Sequence, residues 1–221
     1  MVAENNNETL FFIKPDGIIR RAVGANVLKE IMDSDLEISD AHLMSIPREF
    51  FINSHYSIHR GKFFFDWLID YVTLSPILIA ILKGRDVTFR IREKLGDTIP
   101  TKASPDSIRG RYGIFGGVNV AHSSDSVASA NVEVDNWSRN FLSNPQYNVD
   151  VYSYIDTYCK YPIKDSMLYR NISVKLQNKE ITEEEANFRF LDLITAETDF
   201  SKVYIERFAK LLVRNVLLDR R

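Results

Sequence analysis

The chain has 221 residues, of which 45% are apolar and 26% charged; this is typical of a globular protein and excludes a disordered or fibrous chain. Its 28 basic and 30 acidic residues give a net charge of −2, so no bulk field attracts nucleic acid or anionic lipid, and nucleic-acid binding has little support. An anionic ligand must therefore be bound by a local cluster of cations.

The single cysteine and the short apolar runs bear on the cellular compartment of the protein. Cys159 has no partner for an intramolecular disulfide and gives no sign of an oxidising compartment. The first residues lack the basic region and apolar run of a secretory signal. The longest apolar run, residues 77–82, is far shorter than the roughly 20 residues that span a bilayer. We expect a cytoplasmic protein without a membrane span.

Strand and helix patterns alternate along residues 1–144. Residues 10–13 predict a strand, and Lys14-Pro15-Asp16-Gly17 after it predicts a turn. Further elements are predicted as a helix over 23–32, a strand over 37–45, one or two helices over 48–71, a strand over 77–82, a helix over 86–95 capped by Asp86, a strand over 118–121 and a helix over 126–137. This order is consistent with a ferredoxin-like α/β sandwich, an antiparallel sheet covered by helices.

The rest of the chain lacks strand patterns. Residues 96–117 are rich in Pro and Gly and predict a long irregular loop, which inside a compact domain is usually functional. Residues after 144 show only helical patterns, over 151–160, 167–177, 183–195 and 204–218. We divide the chain into a flexible N-terminus (1–8), an α/β domain (9–144) and an all-helical extension (145–221). The last helix has an apolar stripe, which is expected to cover the domain or a neighbouring subunit; a docking surface for another protein is the alternative.

Four histidines are the first candidates for chemistry, because His titrates near neutral pH. His42 falls in a strand pattern and is expected to be structural. His55 and His59 have the four-residue spacing of two helical metal ligands, but no further ligand motif accompanies them, and a solvated or pocket-edge face is the alternative. His122 follows a short predicted strand, where ligands often collect in α/β sheets, and is the candidate catalytic residue. The polar residues after it, Ser123-Ser124-Asp125-Ser126, also suit helix capping.

Six separated blocks resemble the nucleoside diphosphate kinase family. The blocks are IKPDG at 13–17, HY at 55–56, GKFF at 61–64, GDT at 96–98, SIRG at 107–110 and NVAHSSDS at 119–126. The resemblance covers about residues 9–137 and implies a catalytic domain of that family. It implies transfer of the γ-phosphate of a nucleoside triphosphate to a nucleoside diphosphate, by a ping-pong route through a phosphohistidine at His122.

The resemblance also implies roles for particular residues. Glu133 is expected to hold the second ring nitrogen of His122, with the Ser124 hydroxyl beside the histidine. Phosphate ligands are expected at Lys14, Tyr56, Arg92, Thr98 and Arg109, with Lys14 (also counted as catalytic) and Asn119 reaching the sugar hydroxyls. The base is expected to stack on Phe64 near Leu68, which predicts broad use of purines and pyrimidines.

The cofactor and assembly follow from the same resemblance. Mg²⁺ is expected to be held mainly by the nucleotide phosphates, with no direct protein ligand and with Asp125 touching its water shell. A homo-oligomer is expected, and the extension is left as a possible site for a protein partner.

The chain departs from the family pattern at three positions. Gly116 stands where an apolar side chain usually covers the second face of the base, which predicts a looser base site. Val118 and Ser123 replace a basic residue and a glycine, and neither change removes a catalytic group. The alternative function is a non-catalytic nucleotide-binding or scaffold protein that uses its extension to bind a partner. The complete set of reactive groups favours the enzyme.

Overall fold

The computed structural model describes residues 7–218. Its strands are β1 (Glu8–Ile13), β2 (Glu37–Met44), β3 (Ile77–Lys83) and β4 (Ala121–Ser123), joined as one antiparallel sheet in the order β2-β3-β1-β4. The central strands β1 and β3 are almost continuously apolar and buried, because helices cover the sheet. The predicted ferredoxin-like α/β sandwich is confirmed.

The longer regular elements outside the sheet are α-helices, in both parts of the chain. Those of the α/β part are α1 (Pro15–Ile19), α2 (Arg21–Met32), α3 (Arg48–Phe50), α4 (Phe65–Val72), α5 (Val87–Leu95), α6 (Ile108–Tyr112) and α7 (Val127–Trp137). Those of the extension are α8 (Val151–Tyr158), α9 (Ser166–Gln177), α10 (Glu183–Thr195) and α11 (Lys202–Leu218). The extension is helical, as predicted. Within residues 7–218, no helix has the length and apolar character needed to cross a membrane.

Four local predictions differ from the structure. The predicted turn after β1 is the short helix α1, because Pro15 at its first position has its φ preset for a helix. Asp86 does not cap α5 through its side chain; its φ is 52°. The loop over 96–117 contains α6. The last strand begins at Ala121, since the left-handed φ of 74° at Val120 interrupts the extended backbone before it.

The extension completes the sheet and the core. The backbone N–H of Val149 donates to the Ala41 carbonyl at 2.9 Å, so the segment before α8 covers the outer edge of β2. At the other side, the indole N–H of Trp67 donates to the Leu211 carbonyl at 2.9 Å and joins α4 to α11. One continuous apolar cluster runs from β1 and β3 into α9, α10 and α11. The apolar stripe of α11 is therefore buried against the α/β part.

A buried ion pair fixes the extension to α1 and α2. The Arg20 and Glu197 side chains are both 0% exposed, and Arg20 Nε donates to Glu197 Oε2 at 2.9 Å. Glu197 also accepts hydrogen bonds from the Tyr169 hydroxyl and the Lys164 backbone N–H. Because every partner is in place, the charges are compensated without water.

Removing Glu197 should therefore destabilise the fold strongly. We expect Glu197→Ala to lower the free energy of unfolding by about 3–5 kcal/mol, since it leaves Arg20 charged and unpaired in the core. The matched control is Asp199→Ala, which removes a half-exposed carboxylate paired with Arg21 and should cost about 1 kcal/mol or less. Urea unfolding of both variants makes the comparison. Equal losses would show that the Arg20 pair contributes no more than a surface pair.

Candidate active site

His122 is the middle residue of β4 and pairs with Phe12 of β1. Its ring is the centre of the candidate site. It stacks on the Phe12 ring at 4.6 Å between centroids and meets the edge of His55 at 4.5 Å. His122 Nε2 lies 3.1 Å from Glu133 Oε2 on α7, and Ser124 Oγ donates to the same oxygen at 2.7 Å. A neutral ring that donates Nε2–H to Glu133 keeps its lone pair on Nδ1.

The residues after His122 have two separate uses. Ser126 is the N-cap of α7 and forms a capping box with Ser129, which stabilises the start of that helix. Ser124 is fully buried and points to Glu133 instead. Capping therefore explains Ser126, while Ser124 supports the carboxylate that orients the histidine.

Cations and amides from distant segments form the wall of the site. Lys14, directly after β1, donates from Nζ to Asn119 Oδ1 at 2.7 Å, and Asn119 Nδ2 donates to the Thr98 carbonyl at 2.7 Å. Arg109 donates to the carbonyls of Gly96 and Ala121, each at 3.0 Å. These bonds fix the direction of both cationic side chains before any ligand binds.

Several buried polar groups of the site lack hydrogen-bond partners among residues 7–218, including His55 Nε2 and Ser123 Oγ. Arg109 Nε and the Tyr56 hydroxyl are buried and receive no hydrogen-bond partner from residues 7–218. Buried donors in native proteins are normally satisfied. A ligand rich in oxygen acceptors would satisfy both. At the rim, Arg92 pairs with the exposed carboxylate of Asp125.

Asp16 is a structural residue of the site that the sequence analysis missed. Its carboxylate is fully buried and accepts hydrogen bonds from the Tyr71 hydroxyl and, at 3.0 Å, from the Val120 N–H. The Val120 carbonyl in turn accepts the Lys14 N–H at 2.8 Å. Asp16 therefore holds the left-handed backbone at Val120 that places Asn119 and His122 on either side of it. The only sequence signal was its place in the block that contains Lys14.

Burial and the surrounding cations shift the pKa values of the site. Burial, followed by the charge of Lys14, lowers the pKa of His122 to about 3. Burial and the nearby Arg109 lower the pKa of Lys14 to about 7, and burial and Arg92 lower that of Arg109 to about 10. His122 is therefore neutral and nucleophilic at pH 7. The excess of positive groups favours an anionic ligand.

A cavity of about 510 Å³ joins these groups. Apart from Ser124, every site residue named from the sequence lines it: Lys14, Tyr56, Phe64, Leu68, Arg92, Thr98, Arg109, Asn119, His122, Asp125 and Glu133. The lining also includes residues that sequence reasoning did not assign to the site, among them Trp67 and, from α11, Asn215 and Leu218. No local pattern marked the two α11 residues.

The possible metal pair His55 and His59 is not supported by the structure. Within the described range, the one group of His, Cys and acidic side chains close enough to share an ion is His55, His122 and Glu133. His59 instead places Nδ1 3.0 Å from Lys62 Nζ. The fourth histidine, His42, was expected to be structural, and it is buried in β2.

A neutral histidine on a sheet, in a cavity lined by cations, is an arrangement suited to the phosphoryl-transfer class of proteins. The sequence model described as nucleoside diphosphate kinase matches residues 7–141. A nucleoside diphosphate kinase of Pelotomaculum thermopropionicum is 40% identical over 126 residues, which is 57% of this chain and 83% of the relative. One from Staphylococcus aureus is 37% identical over 129 residues, 58% of this chain and 85% of the relative. The chain belongs to the nucleoside diphosphate kinase family.

Solved structures agree with this family. The nucleoside diphosphate kinase of Aquifex aeolicus aligns with a TM-score of 0.55 and 29% identity, covering 65% of this chain and 99% of that one. The enzyme of Halobacterium salinarum, in complex with CDP, aligns with a TM-score of 0.57 and 27% identity, covering 67% and 97%. The whole extension, residues 145–221, lies beyond the family match, which ends at residue 141.

The neutral state of His122 can be measured directly. We expect the imidazole resonances of His122 to show no titration down to about pH 5, because its pKa lies far below the usual 6.5. Lys14→Met should raise that pKa, since it removes a neighbouring positive charge. Lys29→Met, at an exposed lysine, is the control and should change nothing. An NMR titration with a midpoint near 6.5 in the unaltered chain would contradict this electrostatic account.

Proposed function

We propose that His122 carries the phosphoryl group in this protein's nucleotide phosphotransfer reaction. The observation that supports this best is the contact between Nε2 and Glu133, which leaves Nδ1 as the nucleophilic nitrogen inside a cavity lined by cations. The family activity supplies the substrates, a nucleoside triphosphate donor and a nucleoside diphosphate acceptor.

The proposed first half-reaction is a displacement at the γ-phosphorus. The Nδ1 lone pair of His122 forms the N–P bond as the bond from phosphorus to the β-γ bridging oxygen breaks, and that oxygen leaves with the diphosphate. The Nε2 proton stays against Glu133, which stabilises the positive charge that the ring acquires. A second diphosphate then attacks the phosphohistidine and reverses these steps. No separate general base is needed.

The remaining residues position and neutralise the phosphates. Phosphoryl transfer depends on placement and on stabilising charge on oxygen. We propose that Arg109, Arg92 and Tyr56 bind phosphate oxygens together with Thr98, and that Lys14 serves both the phosphates and, with Asn119, the sugar hydroxyls. An anionic ligand would also restore the positive charge of Lys14, whose pKa is depressed to about 7.

We propose Mg²⁺ as the divalent cation of this reaction. Mg²⁺ prefers phosphate oxygens and water and seldom needs a protein cage. The Asp125 carboxylate lines the cavity and is largely exposed, which fits contact with the water shell of such an ion. When bound, the ion neutralises phosphate charge.

The base, the location and the assembly complete the proposal. Phe64 and Leu68 line the cavity and offer a surface for stacking any base, so we propose broad base use. We also propose a cytoplasmic homo-oligomer; the free Cys159 suits a reducing compartment. A protein partner for the extension is supported by exposed apolar side chains on α9 and α10, notably Leu168 and Phe188.

Loss of His122 should abolish phosphoenzyme formation. We expect His122→Ala to retain no label after incubation with γ-labelled ATP and alkaline workup, which preserves phosphohistidine, because the covalent step has lost its nucleophile. Binding of ATP should stay within roughly tenfold, about 1.4 kcal/mol, which serves as the folding control. Label retained by the variant would place the phosphoryl group on another residue.

A further inference from the structure

Helix α11 places Asn215 where a side chain at position 116 would lie. Gly116 has a left-handed φ of 51°, and a Cβ built on it would lie 3.2 Å from both Nδ2 and Oδ1 of Asn215. The missing side chain at Gly116 led the sequence analysis to expect a looser base site. The structure instead fills that space with an amide from the extension.

The orientation of this amide is fixed by the backbone. Asn215 is 7% exposed, and its Nδ2 donates to the Phe115 carbonyl at 2.7 Å. A carbonyl can only accept, so the amide nitrogen must face Phe115. The hydrogen bonds of residues 7–218 include none to Oδ1 of Asn215. An acceptor is therefore available to a ligand in the cavity that Asn215 lines.

The helix that carries Asn215 is firmly attached. Trp67, which also lines the cavity, binds the Leu211 carbonyl one turn before Asn215. Arg214 pairs with Asp70 of α4 at 2.9 Å. Leu218 follows Asn215 by three residues, and both line the same cavity. Asn215 and Leu218 together form what we call the α11 wall.

We propose that Asn215 contacts the nucleobase, with the α11 wall lining the base site that contains Phe64. This inference rests on the proposed function, because it takes the cavity as the nucleotide site. Oδ1 can accept a hydrogen bond from an N–H on the base edge. Each common base carries at least one N–H donor on its Watson–Crick edge. The contact therefore adds affinity for a base without selecting strongly among the bases.

The test separates binding of the base from binding of the phosphates. Calorimetry compares ADP, CDP and UDP with ribose 5-diphosphate, which has no base. We expect Asn215→Ala to weaken the three nucleotides by roughly five- to tenfold, the effect of one lost hydrogen bond, and to leave ribose 5-diphosphate unchanged. Lys210→Ala, at an exposed position of α11, is the matched control and should affect none of them.

A second measurement needs no variant. In the unaltered chain, the side-chain NH₂ resonances of Asn215 should shift on titration with ADP and stay unchanged with ribose 5-diphosphate. Equal losses for both ligands in Asn215→Ala, no loss for either, or no shift with ADP would overturn the proposal. The proposed function fails by a different result, which is the absence of phosphate label on His122 of the unaltered chain. The two failures are distinguishable because binding of the base does not require phosphoryl transfer.

Discussion

A histidine buried among cations must stay neutral, and the phosphoryl transfer that we propose at His122 depends on that constraint. Burial first, and then the positive charge of Lys14, disfavour the protonated ring of His122 and lower its pKa to about 3. Neutral imidazole keeps a lone pair, and the contact with Glu133 determines which nitrogen holds it. The same crowding of positive charge makes an anion the natural occupant of the cavity. The burial of His122 among cations thus favours both its neutral state and the binding of an anion.

Two buried carboxylates hold this arrangement in the fold. Asp16 joins the start of α1 to the unusual backbone at Val120, and so fixes the spacing of β1 and β4 at the site. Glu197 joins the extension to Arg20, and α11 then reaches the cavity at Asn215. The extension therefore shares one apolar core with the α/β part, and α11 lines the cavity that contains His122.

The sequence predicted most of the regular elements, and the structure brings most of the residues proposed for the site to one cavity. Apolar runs and periodicity identified β1, β3 and the helices of the extension, because burial on sheet and helix faces leaves a local pattern. The motif blocks singled out Lys14, Arg109 and His122, which lie around the same cavity. Features set by long-range contacts were missed: the partners Asp16 and Tyr71 lie 55 residues apart, and Asn215 lies 100 residues from Phe115. The block around Pro15 was wrongly predicted as a turn, because Pro suits both a turn and the first position of a helix.

The position of the phosphoryl group on the ring tests the central claim most directly. The chain is phosphorylated with ATP and hydrolysed in alkali, and the two isomers of phosphohistidine are separated by chromatography. Because Glu133 lies 3.1 Å from Nε2, the account predicts the Nδ1 isomer. A parallel proteolytic digest at alkaline pH should place the label on the peptide that contains His122. The Nε2 isomer, or phosphate on any other residue, would contradict it.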